Sequence, residues 1–255
     1  MHPQIEKAFR TVSKTLFGKE LTNLQSYEKW LFENVRMPTE HKSAVSDKIV
    51  YLPFFSFFQA TREKVVKLEE GEEIGKKKIS SEDAERLSIE NAGKLLADIK
   101  LYAPEAMVGK NIAVEKSSRY GFSSYCYYGE TFVNSKYCAY CMWPRQSEYA
   151  FGCDYLFSSK FCIKCYRSEN ITRCFEVSHS IDCSDCYFCH NCENLQECMF
   201  CFNAKSLRYA VGNVEIGKEE YMKVKKRVLA SIYEKIEKEK RLGYSIFTLG
   251  LSCLK

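Results

Sequence analysis

The chain has 255 residues and 14 cysteines, with Lys+Arg 38 against Asp+Glu 33 and a net charge of +5. That length allows one large or two modest domains, and so mild a positive balance does not by itself argue for nucleic acid. No apolar stretch approaches the roughly 18 residues of a membrane span, and the opening MHPQIEKAFR has no signal-peptide core. A protein kept inside a cell, or packaged there into a larger particle, is the expectation.

Residues 1–110 contain no cysteine and read as a small α+β unit. Residues 5–17 and 21–35 carry apolar side chains at helical spacing. The run from Ile49 to Phe58 reads as one or two buried strands broken at Pro53, and residues 65–68 as another strand. Residues 69–78 form a charged turn region with Gly71 and Gly75. Ser80 or Ser81 caps a helix that runs towards Lys100, with acidic residues in its first turn.

From Cys126 the chain changes in kind. Cys126, Cys138, Cys141, Cys153, Cys162, Cys165, Cys174, Cys183, Cys186, Cys189, Cys192, Cys198 and Cys201 are all separated by multiples of three. Cut from Ser123, the sequence falls without insertion into blocks of twelve: SSYCYYGETFVN, SKYCAYCMWPRQ, SEYAFGCDYLFS, SKFCIKCYRSEN, ITRCFEVSHSID, CSDCYFCHNCEN, LQECMFCFNAKS and a fading LRYAVGNVEIGK. The first, fourth, seventh and tenth positions are small or apolar, and the positions between them hold the charge.

A rhythm of three fits neither a helix nor a flat strand. It fits a chain that turns a corner every few residues, with one side chain in and two out. Twelve residues then close one narrow coil, and coils stacked at about 4.8 Å give a rod of about 38 Å for eight blocks. The predicted fold is therefore mainly β: a narrow parallel β-solenoid over residues 111–217, with the N-terminal α+β unit before it. Residues 111–122 read as a degenerate first coil. The expected reason for Cys, Ser and Ala inside is a lumen too narrow for larger groups.

Residues 218–255 form the third segment. Tyr221, Val224, Val228, Leu229, Ile232 and Ile236 make one apolar stripe on a helix over 218–241, expected to cap the last coil. The tail from Tyr244 to Leu254 is unusually apolar for a terminus and should dock somewhere.

Several kinds of chemistry compete for the cysteines. CxxC pairs recur, and thiolate zinc or iron–sulfur binding is the alternative function, with Cys183, Cys186, Cys189, Cys192, Cys198 and Cys201 as its ligands. An unbroken ladder facing a dry lumen argues instead for cysteines acting as small hydrophobes, so no cofactor is favoured. Stacked columns about 4.8 Å apart are too wide for disulfides, whose Cβ atoms lie nearer ~3.8 Å apart. No phosphate loop, nucleophile elbow or paired-carboxylate motif appears, so no enzyme is expected. Acidic residues share the faces that carry Lys, Arg and aromatics, which disfavours nucleic acid.

One outward column is apolar in every coil: Tyr127, Ala139, Phe151, Ile163, Phe175, Tyr187, Met199 and Val211. With Tyr125, Tyr128, Tyr137 and Tyr140 beside it, this face must meet the N-terminal unit, the C-terminal helix or another molecule. As an interface, Tyr125, Tyr127, Tyr128, Tyr137, Tyr140, Phe151, Ile163, Phe175, Tyr187 and Met199 would join the protein to a copy of itself or to a larger assembly.

The twelve-residue coil resembles the β-helices of beetle antifreeze proteins in geometry. The outward Thr ladder that such proteins need is missing, so ice binding is rejected. The cysteine run from Cys183 to Cys201, followed by Leu207-Arg208-Tyr209 and Lys218-Glu219-Glu220-Tyr221, resembles uncharacterised Cys-rich repeat proteins of uncultivated microbes and tailed phages. That resemblance implies the fold of the second half and a virus-type particle as one setting. It implies no activity.

Overall fold

Between Phe122 and Tyr209 every third residue lies in the left-handed region of backbone space; in one coil these are Tyr137 (φ 56), Tyr140 (φ 59), Trp143 (φ 51) and Gln146 (φ 50). Each is a corner, and the residue after each corner (Cys138, Cys141, Pro144, Ser147) points into the lumen, where it is buried. Four corners return the chain to its starting side after twelve residues. The computed structural model describes residues 1–251. Nine of the 10 strands in its main sheet are parallel, from Ile112–Glu115 to Arg208–Val211, and the last, Val214–Glu215, runs antiparallel. The register is the sequence repeat itself: Cys126 lies over Cys138, Cys162 over Cys174 and Cys186 over Cys198. Residues 111–122 do form a coil, with Val114 over Cys126.

Two backbone bonds per side tie each coil to its neighbours. The outward Glu130 donates its N–H to Cys141 O (2.9 Å), and the corner residue Trp143 donates back to Glu130 O (2.8 Å). The inward N–H is left over, and inward side chains of the preceding coil accept it. Ser123 Oγ accepts from Ser135 N (3.1 Å), Ser159 Oγ from Ile171 N (3.1 Å), Ser180 Oγ from Cys192 N (3.1 Å), and Cys153 Sγ from Cys165 N (3.4 Å). The same side chains donate to carbonyls, as Ser180 Oγ does to Ser178 O at 2.9 Å.

This corrects the expectation about lumen size. Phe132, Leu156, Ile171, Val177 and Leu195 also point inward and are buried, so the lumen does take large groups. The Phe132 ring fits because its neighbour is Gly129, where a Cβ would lie 2.6 Å from the ring. Ser recurs because its Oγ satisfies a buried backbone donor that Leu would leave orphaned. Among the described cysteines Cys153 does the same, and the other sulfurs lie against backbone carbonyls as small buried groups.

The first helix, Pro3–Phe17, has His2 as N-cap and ends at Gly18 (φ 78). Its face of Ile5, Ala8, Phe9, Val12 and Leu16 is buried against the apolar outward column in a single core that the C-terminal helix also joins. The expected helix over 21–35 is instead a 3-10 turn (Leu24–Tyr27) and a short helix (Glu28–Phe32), ended near Asn34 (φ 66). The Glu6 carboxylate accepts from Asn23 N and Leu24 N, both at 2.8 Å, and fixes the turn.

The remainder of the first 110 residues differs from expectation more. Thr39–Lys42 pairs antiparallel with Ile49–Leu52, but Phe54 to Phe58 turns into a short helix, Ser56–Gln59. The strand expected at 65–68 is a single bridge between Val65 and Tyr102, and the expected charged turn contains the helix Leu68–Ile74. Ser80 does cap, accepting from Asp83 N, but the helix stops at Glu85 and resumes only at Ala92–Leu95. Val50, Leu52 and Val65 are the buried core of this region. Residues 5–31 have their core on the solenoid, so the first 110 residues do not share one core.

The helix Lys218–Glu239 buries Tyr221, Leu229, Ile232, Tyr233 and Ile236, whereas Val224 and Val228 are half-buried. It leaves the last coil beside Tyr209, passes Glu197 through Lys225 (2.6 Å), and reaches Glu20 O through the Tyr233 hydroxyl (3.1 Å). It therefore runs back along the flank and does not cap the end as expected. The end is closed by the Val214–Glu215 strand and by Asn213, whose amide accepts from Phe202 N (2.9 Å) and donates to Phe202 O (2.8 Å). The tail docks as far as it is described: Ile246 N donates to Glu176 Oε2 (2.8 Å), and Phe247 packs on Tyr166. Leu254 lies outside the described residues.

Two substitutions test these rules. Ser180→Ala orphans the Cys192 N–H and should cost about 1–3 kcal/mol by denaturant unfolding, whereas Ser180→Cys should cost much less. At the exposed corner Gln146, Asn should stabilise by up to about 1–2 kcal/mol, and a β-branched Val should destabilise relative to Gln.

Candidate functional site

All thirteen described cysteines are buried and unpaired. Their sulfurs contact backbone carbonyls, as Cys186 Sγ does with Ser184 O (3.3 Å) and Leu195 O (3.7 Å). Burial pushes the Cys138 and Cys141 thiols well up from their usual range, which makes them poor nucleophiles. Cys183, Cys186, Cys189 and Cys192 fill all four inward positions of one coil, with Cys198 and Cys201 in the next. Among the described residues no three His, Cys, Asp or Glu side chains are arranged to hold a metal ion. His179 and His190 stand outside the lumen with ring centroids 5.3 Å apart, and His190 Nδ1 is 2.7 Å from Ser178 Oγ.

The apolar column is not a free surface. Tyr127, Tyr140, Phe151, Ile163, Phe175, Tyr187 and Met199 are buried by the chain's own helices. Phe9 meets Phe151 at 5.2 Å, Phe17 meets Phe175 at 5.1 Å, and Phe32 meets Tyr140 at 4.9 Å. Gly152, at a corner with φ 66, lets Leu31 approach so closely that a Cβ would sit 3.0 Å from its backbone oxygen. As contacts for a second molecule these seven positions are therefore corrected: the chain's own N- and C-terminal segments already cover them. Tyr125, Tyr128 and Tyr137 stay half-buried; Tyr125 and Tyr137 stack at 5.2 Å in a ladder that continues to Tyr149 and Phe161.

The same packing encloses a polar cluster that the sequence reading missed. Lys164 and Glu176 occupy one corner column, one coil apart, between Tyr140 and Phe188. Lys164 is fully buried; its Nζ donates to Trp30 O (2.7 Å), lies 3.4 Å from a Glu33 oxygen and sits 5.4 Å from the Trp30 ring centroid. Glu176 is buried too, with Oε2 holding the tail at Ile246 N. Glu176 Oε1, the Tyr166 hydroxyl and Trp30 Nε1 have no hydrogen-bond partner among the described residues. Burial raises the Glu176 carboxyl to about 8 against the pull of Lys164, and burial lowers the Lys164 ammonium against Glu176 and Glu33. The available signal was two opposite charges twelve residues apart in a column otherwise made of aromatic residues and Gly152.

A second enclosed carboxyl, Glu130, accepts from Ser118 Oγ (3.2 Å) and Thr131 Oγ1 (3.0 Å) with Arg119 at 4.0 Å; burial raises it to about 7.

The two ends of the solenoid differ. At the C-terminal end Asn213 and the antiparallel strand occupy the edge. At the N-terminal end Ala106–Val108 and Ile112–Glu115 are the terminal strands of their sheets. Met107, Val108, Ile112 and Phe122 are exposed there, Phe122 to 59%. No helix among the described residues is long and apolar enough to cross a membrane. No protein-family model matches the chain, and no curated protein matches it.

The buried carboxyls set a pH dependence. Each is protonated in the folded state at pH values where it is ionised in the unfolded chain. Their contribution to stability therefore falls as pH rises from about 4.5, ending near 7 for Glu130 and near 8 for Glu176. In unfolding measured across this range, each of Glu176→Gln and Glu130→Gln should flatten the decline, by up to about 1.4 kcal/mol per pH unit, and the effect of Glu176→Gln should extend to higher pH.

Proposed function

We propose that the protein is a non-enzymatic structural and assembly protein, a β-solenoid module that joins like subunits or docks them into a larger, virus-type particle. The supporting observation is the contrast between the ends. A free sheet edge is ordinarily blunted by charge, proline or a bulge. The strand Ile112–Glu115 carries one charge, Glu115, and the Met1 ammonium takes it at 3.0 Å. With the other end closed, each subunit offers one open edge. The partner that fits is a second copy related by a two-fold axis, with the two Ile112–Glu115 strands running antiparallel. The mixed charge of the outward Lys136, Glu148 and Lys160 favours a protein partner over nucleic acid.

The expected result is a dimer by sedimentation or light scattering that Ile112→Lys converts to a monomer with an unchanged unfolding midpoint. A wild-type chain that stays monomeric at all working concentrations, and recovers no partner, would overturn the proposal. The scaffold reading also expects no stoichiometric zinc or iron in the native protein; a full equivalent by elemental analysis would favour the thiolate alternative.

A further inference from the structure

A cleft of about 340 Å³ opens on the flank where Asn34, Val35 and Arg36 meet Asp154, Tyr166, Arg167 and His179 under Phe247 of the tail. Its one carboxylate is engaged. Both carboxylate oxygens of Asp154 are held by Arg36, Nε at 3.0 Å and a terminal guanidinium nitrogen at 2.7 Å. Its donors are in excess. Arg167, unlike Arg36 and Arg173, has no carboxylate partner among the described residues. The two guanidiniums lie near one ring, with Arg36 4.7 Å and Arg167 6.0 Å from the Tyr155 centroid. Arg36 and Arg167 against Asp154 leave one net positive charge beside the ring of His179. Val35 and the Tyr166–Phe247 pair, 5.0 Å apart, form the apolar side.

A site with two guanidiniums, spare donors and its one carboxylate already engaged selects an oxyanion. The volume is at the small end of ligand pockets. We propose that this cleft binds a small molecule through a phosphate or carboxylate group, with Arg167 as the principal contact and Arg36 the second, and seats an attached ring against the exposed side of Phe247, which packs on Tyr166. The proposal is independent of the assembly reading, because the cleft lies on the flank and not at the open end.

The test is calorimetric titration of the full chain at low ionic strength with phenyl phosphate, benzoate, inorganic phosphate and acetate. Phenyl phosphate or benzoate should bind saturably and at least tenfold more tightly than its ring-free counterpart, and the tighter of the two assigns the anion class. Arg167→Ala should weaken binding at least tenfold. Because Arg167 is exposed, its unfolding midpoint should not move. Arg145→Ala, an exposed arginine outside the cleft, should bind as the wild type does. Phe247→Ala should erase the advantage of the ring while leaving anion binding. Absence of saturable binding by all four probes, or equal binding by wild type and Arg167→Ala, would overturn the proposal.

Discussion

The rest of the structure depends on the inward N–H. A left-handed corner at every third residue leaves the outward and corner N–H groups bonded between coils and the inward one unserved. A buried, unpaired donor costs about 1–3 kcal/mol, and the coil repeats it four times. Only a short side chain with an acceptor at γ reaches the N–H of the next coil without blocking the lumen. The corners add a cost of roughly 1–2 kcal/mol each for residues other than Gly, Asn or Asp. Tyr, Phe, Trp, Lys and Arg all occupy them here. No coil can offset these terms alone, so the solenoid is stable only as a stack with its ends managed. Asn111 accepts from Ser123 N (2.9 Å) at the first coil, and Asn213 serves Phe202 at the last.

The outside follows from the same geometry. With inward positions reserved for lumen filler, the coil has too little apolar surface to make a globular core by itself. It builds a second core outside the wall. The column from Tyr127 to Met199 supplies one face, and the helices Pro3–Phe17 and Lys218–Glu239 supply the other. The terminal segments are therefore structural parts of the rod. Where they cross the Lys164 and Glu176 corner they seal in charge, and the tail closes over it through Ile246. Lys164 holds Trp30 O and Glu33, and Glu176 holds Ile246 N, so this one corner fixes where the N-terminal segment and the tail lie. The oxyanion cleft borders the same crossing.

The repeat was legible because twelve residues without insertion leave one register, and the structure adopts it pair for pair. The apolar column was legible as a face needing cover, since Phe151 and Phe175 are large and outward. What covered it was not. The burial of Phe9 on Phe151 joins positions far apart in sequence, and no local pattern encodes it. The path of the last helix was misread because a stripe such as Tyr221, Leu229 and Ile236 shows that a helix is buried, not against what. Residues 37–103 were read least well. Their core is small, so periodicity was weak, and short helices such as Ser81–Glu85 are set by caps more than by a buried face. Lys164 and Glu176 look like ordinary surface charges until the tail and Trp30 close over them.

The division between cysteine and serine in the lumen tracks what lies beyond the wall. Cysteine dominates the two inward columns that bracket the covered face, from Cys126 to Cys198 and from Cys141 to Cys201. Serine recurs on the opposite side, at Ser123, Ser135, Ser147 and Ser159 and again at Ser168 and Ser180, where the outward neighbours Arg145, Glu169 and Glu193 are exposed. Serine serves the orphan N–H in several coils, and cysteine does so at Cys153. A thiol is the weaker partner but is far less costly to place between two apolar layers, whereas a hydroxyl there would need a full set of bonds. Behind the covered wall the lumen is dry on both sides, and sulfur suits it. Behind the wetted wall the stronger hydroxyl bond secures a side that has no helix to hold it. Cys183 and Cys192, on the wetted side, depart from this division; in the other coils the cysteines follow the wall that the terminal segments cover.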